Sequence, residues 1–396
     1  MLTSIVQPAQ AGHQYSRKRA WLIIAGLTGL LLTGSQCGTP AGKKTGIPDR
    51  IPALITDSVY LDPGNIYTEE KRELGRFLFY DTRLSVNITR SCASCHDPRF
   101  SFADNYNRSI GAFGDLHQRN SRPLINLVFN RYLTGADTTV YFPELQMNRP
   151  LMSEHPVEMG VKGNEGVILQ RLRDDTLYRY LFSKAYPADP SAFSMEHIRL
   201  AIADFIKTLI SAETAYDRYR QDSVRYPLPM AAMRGKQLFF SDRLACYRCH
   251  GGINFARPEL KTAEGKTDFY FNTGLYNIDG KGSYPATDHG LAASTGNPRD
   301  EGKFRVPILR NLIFTAPYLH DGSAQTLEEV IRVYEEGGRN LTRGPNAGDG
   351  RKNPLKDPLI KGFVLTAGER KDLIHFLYSL TDSVVLNKKE NANPFR

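Results

Sequence analysis

The chain has 396 residues, with 51 Lys and Arg against 42 Asp and Glu, for a formal charge of +9. That length suits two or three domains with a sizeable core, and the ordinary apolar content excludes a disordered or collagen-like chain. The basic residues are spread widely, which argues against nucleic-acid binding and for a solvated surface suited to an acidic partner.

Residues 1–37 read as an export leader. Arg17-Lys18-Arg19 supply its positive segment, and Ala20 to Gly34 form an apolar run too short for a comfortable membrane span. Cys37 sits where a lipidated cysteine follows such a run, although Gln36 makes Gly34-Ser35-Gln36 a poor lipobox; the alternative is a spare thiol in a discarded peptide. A polar linker, residues 38–52, follows.

A first unit is expected over residues 53–228. It opens on an amphipathic helix around Gly75-Arg-Phe-Leu78-Phe79-Tyr80, with Leu74, Phe77 and Leu78 on one face. The pentapeptide Cys92-Ala93-Ser94-Cys95-His96 comes next. Cys-x-x-Cys-His is the attachment signature of c-type haem: the thiols bond to the vinyl groups and the His becomes the proximal iron ligand. A zinc site would want a second Cys or His pair nearby, and a redox dithiol does not need the trailing His. Further on, Ile198 to Leu209 places Ile198, Ile202, Phe205, Ile206 and Leu209 at helical spacing. Pro227-Leu228-Pro229 marks a domain boundary.

The second unit, 229–385, repeats the first. Gly235-Lys-Gln-Leu238-Phe239-Phe240 superimposes on the earlier Gly-x-x-Leu-Phe-aromatic run, and Arg243-Leu244 on Arg83-Leu84. The repeat leads to Cys246-Tyr247-Arg248-Cys249-His250, the second haem signature. Tyr270 to Pro298 reads as loop. Gly368 to Leu380 forms a closing helix, and residues 386–396 are a polar tail. The four motif cysteines leave only Cys37, so no structural disulfide is available within the chain. The expected fold is mostly α, with two cytochrome c-like domains and long loops, each domain holding one covalently bound c-type haem. Four haem propionates would offset part of the positive charge.

With these motifs stand Arg119-Asn120-Ser-Arg-Pro123, Pro156-Val157-Glu158-Met159-Gly160, Val306-Pro307-Ile-Leu-Arg310-Asn311 and Thr315-Ala316-Pro317-Tyr318-Leu319-His320-Asp321-Gly322. In this order they resemble the bacterial di-haem cytochrome c peroxidases and the related MauG-like di-haem enzymes, over everything after the leader. The resemblance implies that the haem at His96 meets peroxide and that Glu158 is the acid-base glutamate. Ala112 stands where many members carry a His that blocks this iron, so the first iron is expected to be open or water-bound at rest. His117, a few residues on, reads as a loop His. At the second haem many members use a downstream Met, but this chain has no Met after Met233. Tyr334 stands in that position, as in the MauG-like branch, and a phenolate favours oxidised iron. His289, His320 and His375 are competing ligands, with His320 expected to support the haem surroundings.

The family's inter-haem Trp is missing, since the only Trp is Trp21; Tyr141 or Phe142 is the nearest replacement. The resemblance also implies one calcium ion, held by Asn120 and by Thr315 and Pro317. The expected activity is reduction of hydrogen peroxide in the periplasm. The electrons would come from a donor protein such as a small cytochrome c or a copper protein, and the enzyme could be a homodimer. Two alternatives stand: a MauG-like oxidase acting on a protein or small organic substrate, and a di-haem electron carrier, which needs no proton shuttle.

Overall fold

The computed structural model describes residues 59–258 and 268–396, all within one compact unit. The leader, the 38–52 linker, Cys37 and Trp21 lie outside the described residues. Among the described residues the chain is mostly helical with little sheet, and no helix is long and apolar enough to cross a membrane.

Two helix pairs carry the two halves. Glu69–Tyr80 crosses Met195–Lys207, and Met230–Phe239 crosses Ala367–Tyr378. The first helix starts where the Thr68 side chain accepts from the Lys71 amide, and the second where Ser194 accepts from His197. Thr366 and Glu369 form a capping box at the start of the last. These caps place the starts of the last two at Met195 and Ala367, slightly before the apolar stripes that announced them.

At both crossings a glycine of the repeat lets the backbones meet. A Cβ on Gly75 would lie 1.8 Å from the Ala201 carbonyl oxygen, and one on Gly235 would lie 1.9 Å from that of Asp372. The first crossing anchors a core containing Leu74, Leu78, Phe79, Phe102, Phe182 and Phe205. The second anchors a core of Leu228, Phe239, Phe255, Leu373 and Phe376, which Tyr216 joins from the N-terminal side of Pro227. Burial of such apolar side chains contributes about 1.5–3 kcal/mol each.

The C-terminal residues return to the first half. Tyr80 donates to the Asn391 carbonyl at 2.5 Å, and the Phe395 ring meets Phe77 edge-on at 5.4 Å. Within the stretch read as loop, Tyr270–Phe271 pairs antiparallel with Phe304–Arg305, and Ala292–Thr295 makes one helical turn. Two residues are too few for alternation to be visible in sequence, so only the tertiary pairing reveals that strand.

Gly75→Ala and Gly235→Ala should each destabilise the holo-protein by about 3 kcal/mol, the upper end of overpacking costs. That exceeds the gain of about 1 kcal/mol in helix propensity. Urea denaturation checks this; unchanged midpoints would refute the crossing-glycine role.

Candidate active site

Each Cys-x-x-Cys-His motif folds as one tight turn. Cys92–Ser94 is a 3-10 turn braced by the Ser91 amide donating to Ser94 Oγ at 3.0 Å, and Cys246–Cys249 is a single α turn. The turn brings both cysteines of a pair to one side and leads into the histidine. The chain then reverses through a left-handed phenylalanine, Phe102 at φ 58° or Phe255 at φ 52°. This aims a backbone carbonyl at the imidazole: His96 Nδ1 lies 2.8 Å from the Phe102 oxygen and His250 Nδ1 lies 2.9 Å from the Phe255 oxygen. A carbonyl only accepts, so Nδ1 carries the hydrogen and Nε2 keeps its lone pair. Burial holds both imidazoles down at about 4, hence neutral and competent to ligate a metal. The four thiols are free, and burial pushes them up to between about 11 and about 12.

Glu158 stands beside the first motif because two loops interlock. Gly111 approaches so closely that a Cβ would lie 2.0 Å from the Val157 carbonyl oxygen, and the Ala112 amide donates to the Glu158 carbonyl at 2.9 Å. Ala112 is thus buried, and its backbone serves to hold the glutamate segment. The Glu158 carboxylate is 28% exposed, and its Oε1 lies 3.9 Å from His117 Nδ1. Burial pushes this carboxyl up to about 7, against a smaller pull from Arg149. Its charge reaches the Cys92 and Cys95 thiols. His117 is held below the ordinary range by burial and then by His96, with Asp104 opposing. The first motif, Glu158 and His117 therefore share one site.

Tyr334 lies on the Leu327–Glu335 helix, opened by a Thr326–Glu329 capping box. The Cys249 and Cys246 thiols both act on its phenol, and burial raises its pKa. Its hydroxyl has no hydrogen-bond partner among the described residues and, on a half-buried side chain, is open to a further ligand. The competing histidines are placed elsewhere. His289 pairs with Glu301 at 2.9 Å on a half-exposed side chain, and His375 is exposed on its helix. His320 stacks on Phe304 at 3.7 Å.

Asn120 is brought to the 315–320 loop: its amide donates to the His320 carbonyl at 2.8 Å, and Nδ2 donates to the Tyr106 carbonyl at 2.9 Å, which leaves Oδ1 available. Thr315 and Pro317 are buried in that loop. Tyr141 is 43% exposed and stacks edge-on with Phe142 at 4.8 Å.

Sequence reading quoted Arg119 and Arg122 only as part of a motif and assigned no role to them or to Arg305. Arg119 holds Asp288 through two bonds of 2.7 and 2.6 Å. Arg122 Nη1 and Arg305 Nε are buried with no partner among the described residues. The motif around Arg122 carried the resemblance but gave no sign that this side chain is buried without an anion.

Comparison with known proteins now bears on this geometry. Residues 69–225 match the family described as di-haem cytochrome c peroxidase. The cytochrome-c peroxidase IdrP1 of Pseudomonas sp. (strain SCT) is 31% identical over 373 residues, covering 89% of this chain and 92% of that protein. The chain belongs to the di-haem cytochrome c peroxidase family. The methylamine utilization protein MauG of Methylorubrum extorquens is 28% identical over 340 residues, covering 82% of each chain. A crystal structure of a MauG-like protein associated with microbial copper homeostasis shares 42% identity and a TM-score of 0.83, covering 87% of this chain and 99% of that one. Membership of this di-haem peroxidase and oxidase family makes the chain an oxidoreductase and implies two c-type haems. The residues fit them: paired free thiols, neutral imidazoles with Nε2 unengaged, and buried cations lacking anions.

In the holo-protein, the infrared band of a protonated carboxyl that disappears in Glu158→Gln should titrate near pH 7, present below and lost above. Titration near the ordinary glutamate value would show that the carboxyl is solvated.

Proposed function

We propose that the protein is a MauG-like oxidase, exported to the periplasm, which uses hydrogen peroxide to oxidise a protein or small organic substrate. The observation that carries this is Tyr334: a half-buried phenol, without a hydrogen-bond partner among the described residues, close enough to Cys249 and Cys246 for their thiols to act on it. The 42% identity to a MauG-like protein supports it.

In this reading Cys92 and Cys95 tether one haem and His96 ligates its iron, while Cys246, Cys249, His250 and Tyr334 do so for the other. When bound, the haems supply iron that passes electrons from substrate to peroxide. Peroxide with two protons and two electrons gives two waters. Glu158 takes a proton from one peroxide oxygen and returns it to the other, and its carboxyl, raised to about 7, suits both directions near neutral pH. His117 lies 3.9 Å from the Glu158 Oε1, beyond direct hydrogen-bond reach. Ala112 offers no side chain to close the first site. In this reading two cytochrome c-like domains, 53–228 and 229–385, are supported by the two cores, although the first also takes in Ile308 and Val385 and the second Tyr216 and Leu228. Asn120 with Thr315 and Pro317 is the oxygen-only set for one calcium ion. Cys37 is the candidate lipid anchor.

A second reading is a peroxidase fed by a small cytochrome c or a copper protein. The lack of any Trp after Trp21 favours it, because an inter-haem aromatic of that kind is missing.

The oxidised protein should give one high-spin and one low-spin ferric signal in electron paramagnetic resonance; two low-spin signals would rule out an open first site. Negligible peroxide turnover with reduced cytochrome c, alongside a slowly decaying peroxide-induced spectrum, supports the oxidase, and rapid turnover supports the peroxidase. Glu158→Gln should slow the peroxide reaction by about 10²–10⁴-fold. The wild-type rate should rise with pH through about 7, because the ionised carboxylate is the proton acceptor.

A further inference from the structure

Between the two motifs lies a buried group of cations with too few anions. The Arg122 backbone lies against the His96 ring. Arg305 is 5% exposed on the strand next to Val306, which packs with Phe271, Ala256 and Cys249. The Arg305 amide donates to the Gly135 carbonyl at 2.8 Å. A Cβ on Gly135 would lie 3.0 Å from Arg122 Nη2 and 3.3 Å from Arg119 Nη1. This glycine therefore makes room for the guanidinium groups, and the cluster runs from the first motif to the second.

Among the described residues its charges do not balance. Asp288 is the carboxylate in contact with the group, and Arg119 occupies both of its oxygens. Arg122 donates no side-chain hydrogen bond among the described residues, and Arg305 donates one, to the Val306 carbonyl. Tyr270, the neighbouring aromatic, directs its hydroxyl at the Asp137 carbonyl at 2.7 Å. Arg305 also lines a cavity shared with Arg131 and Arg257 whose described wall holds no carboxylate. Burial and mutual repulsion hold Arg122 well below the ordinary arginine range, and burial brings Arg305 down to about 10. Leaving such charges buried and unpaired costs several kcal/mol each. An anion must complete the site, and a planar fork of N–H donors matches a carboxylate.

We infer that Arg122 and Arg305 are the sites for haem propionate carboxylates, Arg122 for the haem at His96 and Arg305 for the haem at His250. The guanidinium groups then both anchor the haems and set their potentials, since a nearby positive charge disfavours ferric relative to ferrous iron. This rests on the two-haem reading above.

The test is spectroelectrochemical titration of holo-protein. Arg122→Gln should raise the ferric to ferrous ratio of the His96 haem about tenfold at a fixed electrode potential, a downward shift of about 59 mV. Arg305→Gln should act in the same way on the His250 haem. Unchanged potentials at both haems in both variants would overturn the inference. If either Gln variant loads less haem, Arg122→Lys and Arg305→Lys decide by resonance Raman. A shifted propionate bending mode supports the assignment, and a mode coincident with wild type in both overturns it. A pyridine haemochrome count below two in the wild type would instead overturn the two-haem reading itself.

Discussion

Everything at the site depends on one hydrogen bond made twice, from a histidine Nδ1 to the carbonyl of a left-handed phenylalanine. At His96 and His250 it decides the tautomer, turns the ring, and leaves Nε2 as the lone-pair donor. The left-handed turn is unfavourable for a phenylalanine in isolation. It persists because Phe102 and Phe255 are buried in the two cores that the crossing helices create. Gly75 and Gly235 matter to chemistry through that chain of contacts: they let the helices approach, the helices build the cores, and the cores hold the turns.

On this repeated scaffold the two halves diverge. The first places an ionisable carboxyl with a pKa near 7 beside its motif, held by the contact of Gly111 with Val157 and the Ala112 to Glu158 hydrogen bond. The second places a phenol near its thiols, where Asp357 and Asp268 also act on Cys249. The surroundings of the two motifs thus differ through loops and one helix, with the core architecture left alike. The arginine cluster lies where the halves meet, so its charge acts on both.

Much of this was legible beforehand for definite reasons. Covalent haem attachment needs fixed chemistry at fixed spacing, so Cys92, Cys95, His96, Cys246, Cys249 and His250 stand out in any reading. The helices carrying Leu74, Ile202 and Phe376 announce themselves by apolar periodicity. Glu158 and Tyr334 were visible only through resemblance, because a lone carboxylate or a lone tyrosine on an amphipathic helix carries no signature of its own. The Tyr270–Phe271 strand and the docking of the C-terminal residues on Tyr80 and Phe77 left no trace, and the motif holding Arg119 and Arg122 did not show that they gather with Arg305.

The sequence by itself determined the two attachment sites, the helical character, the absence of a downstream methionine ligand and the repeat of glycine with its aromatic neighbours. These are local properties, written in spacing and residue type. The tertiary structure decided which tautomer each histidine adopts, that Glu158 meets His117, and that Arg122 and Arg305 come together with no carboxylate bonded to either among the described residues. Those depend on which distant segments share a low-dielectric space, because the energy of a charge or a lone pair is set by its surroundings and not by its neighbours in the chain.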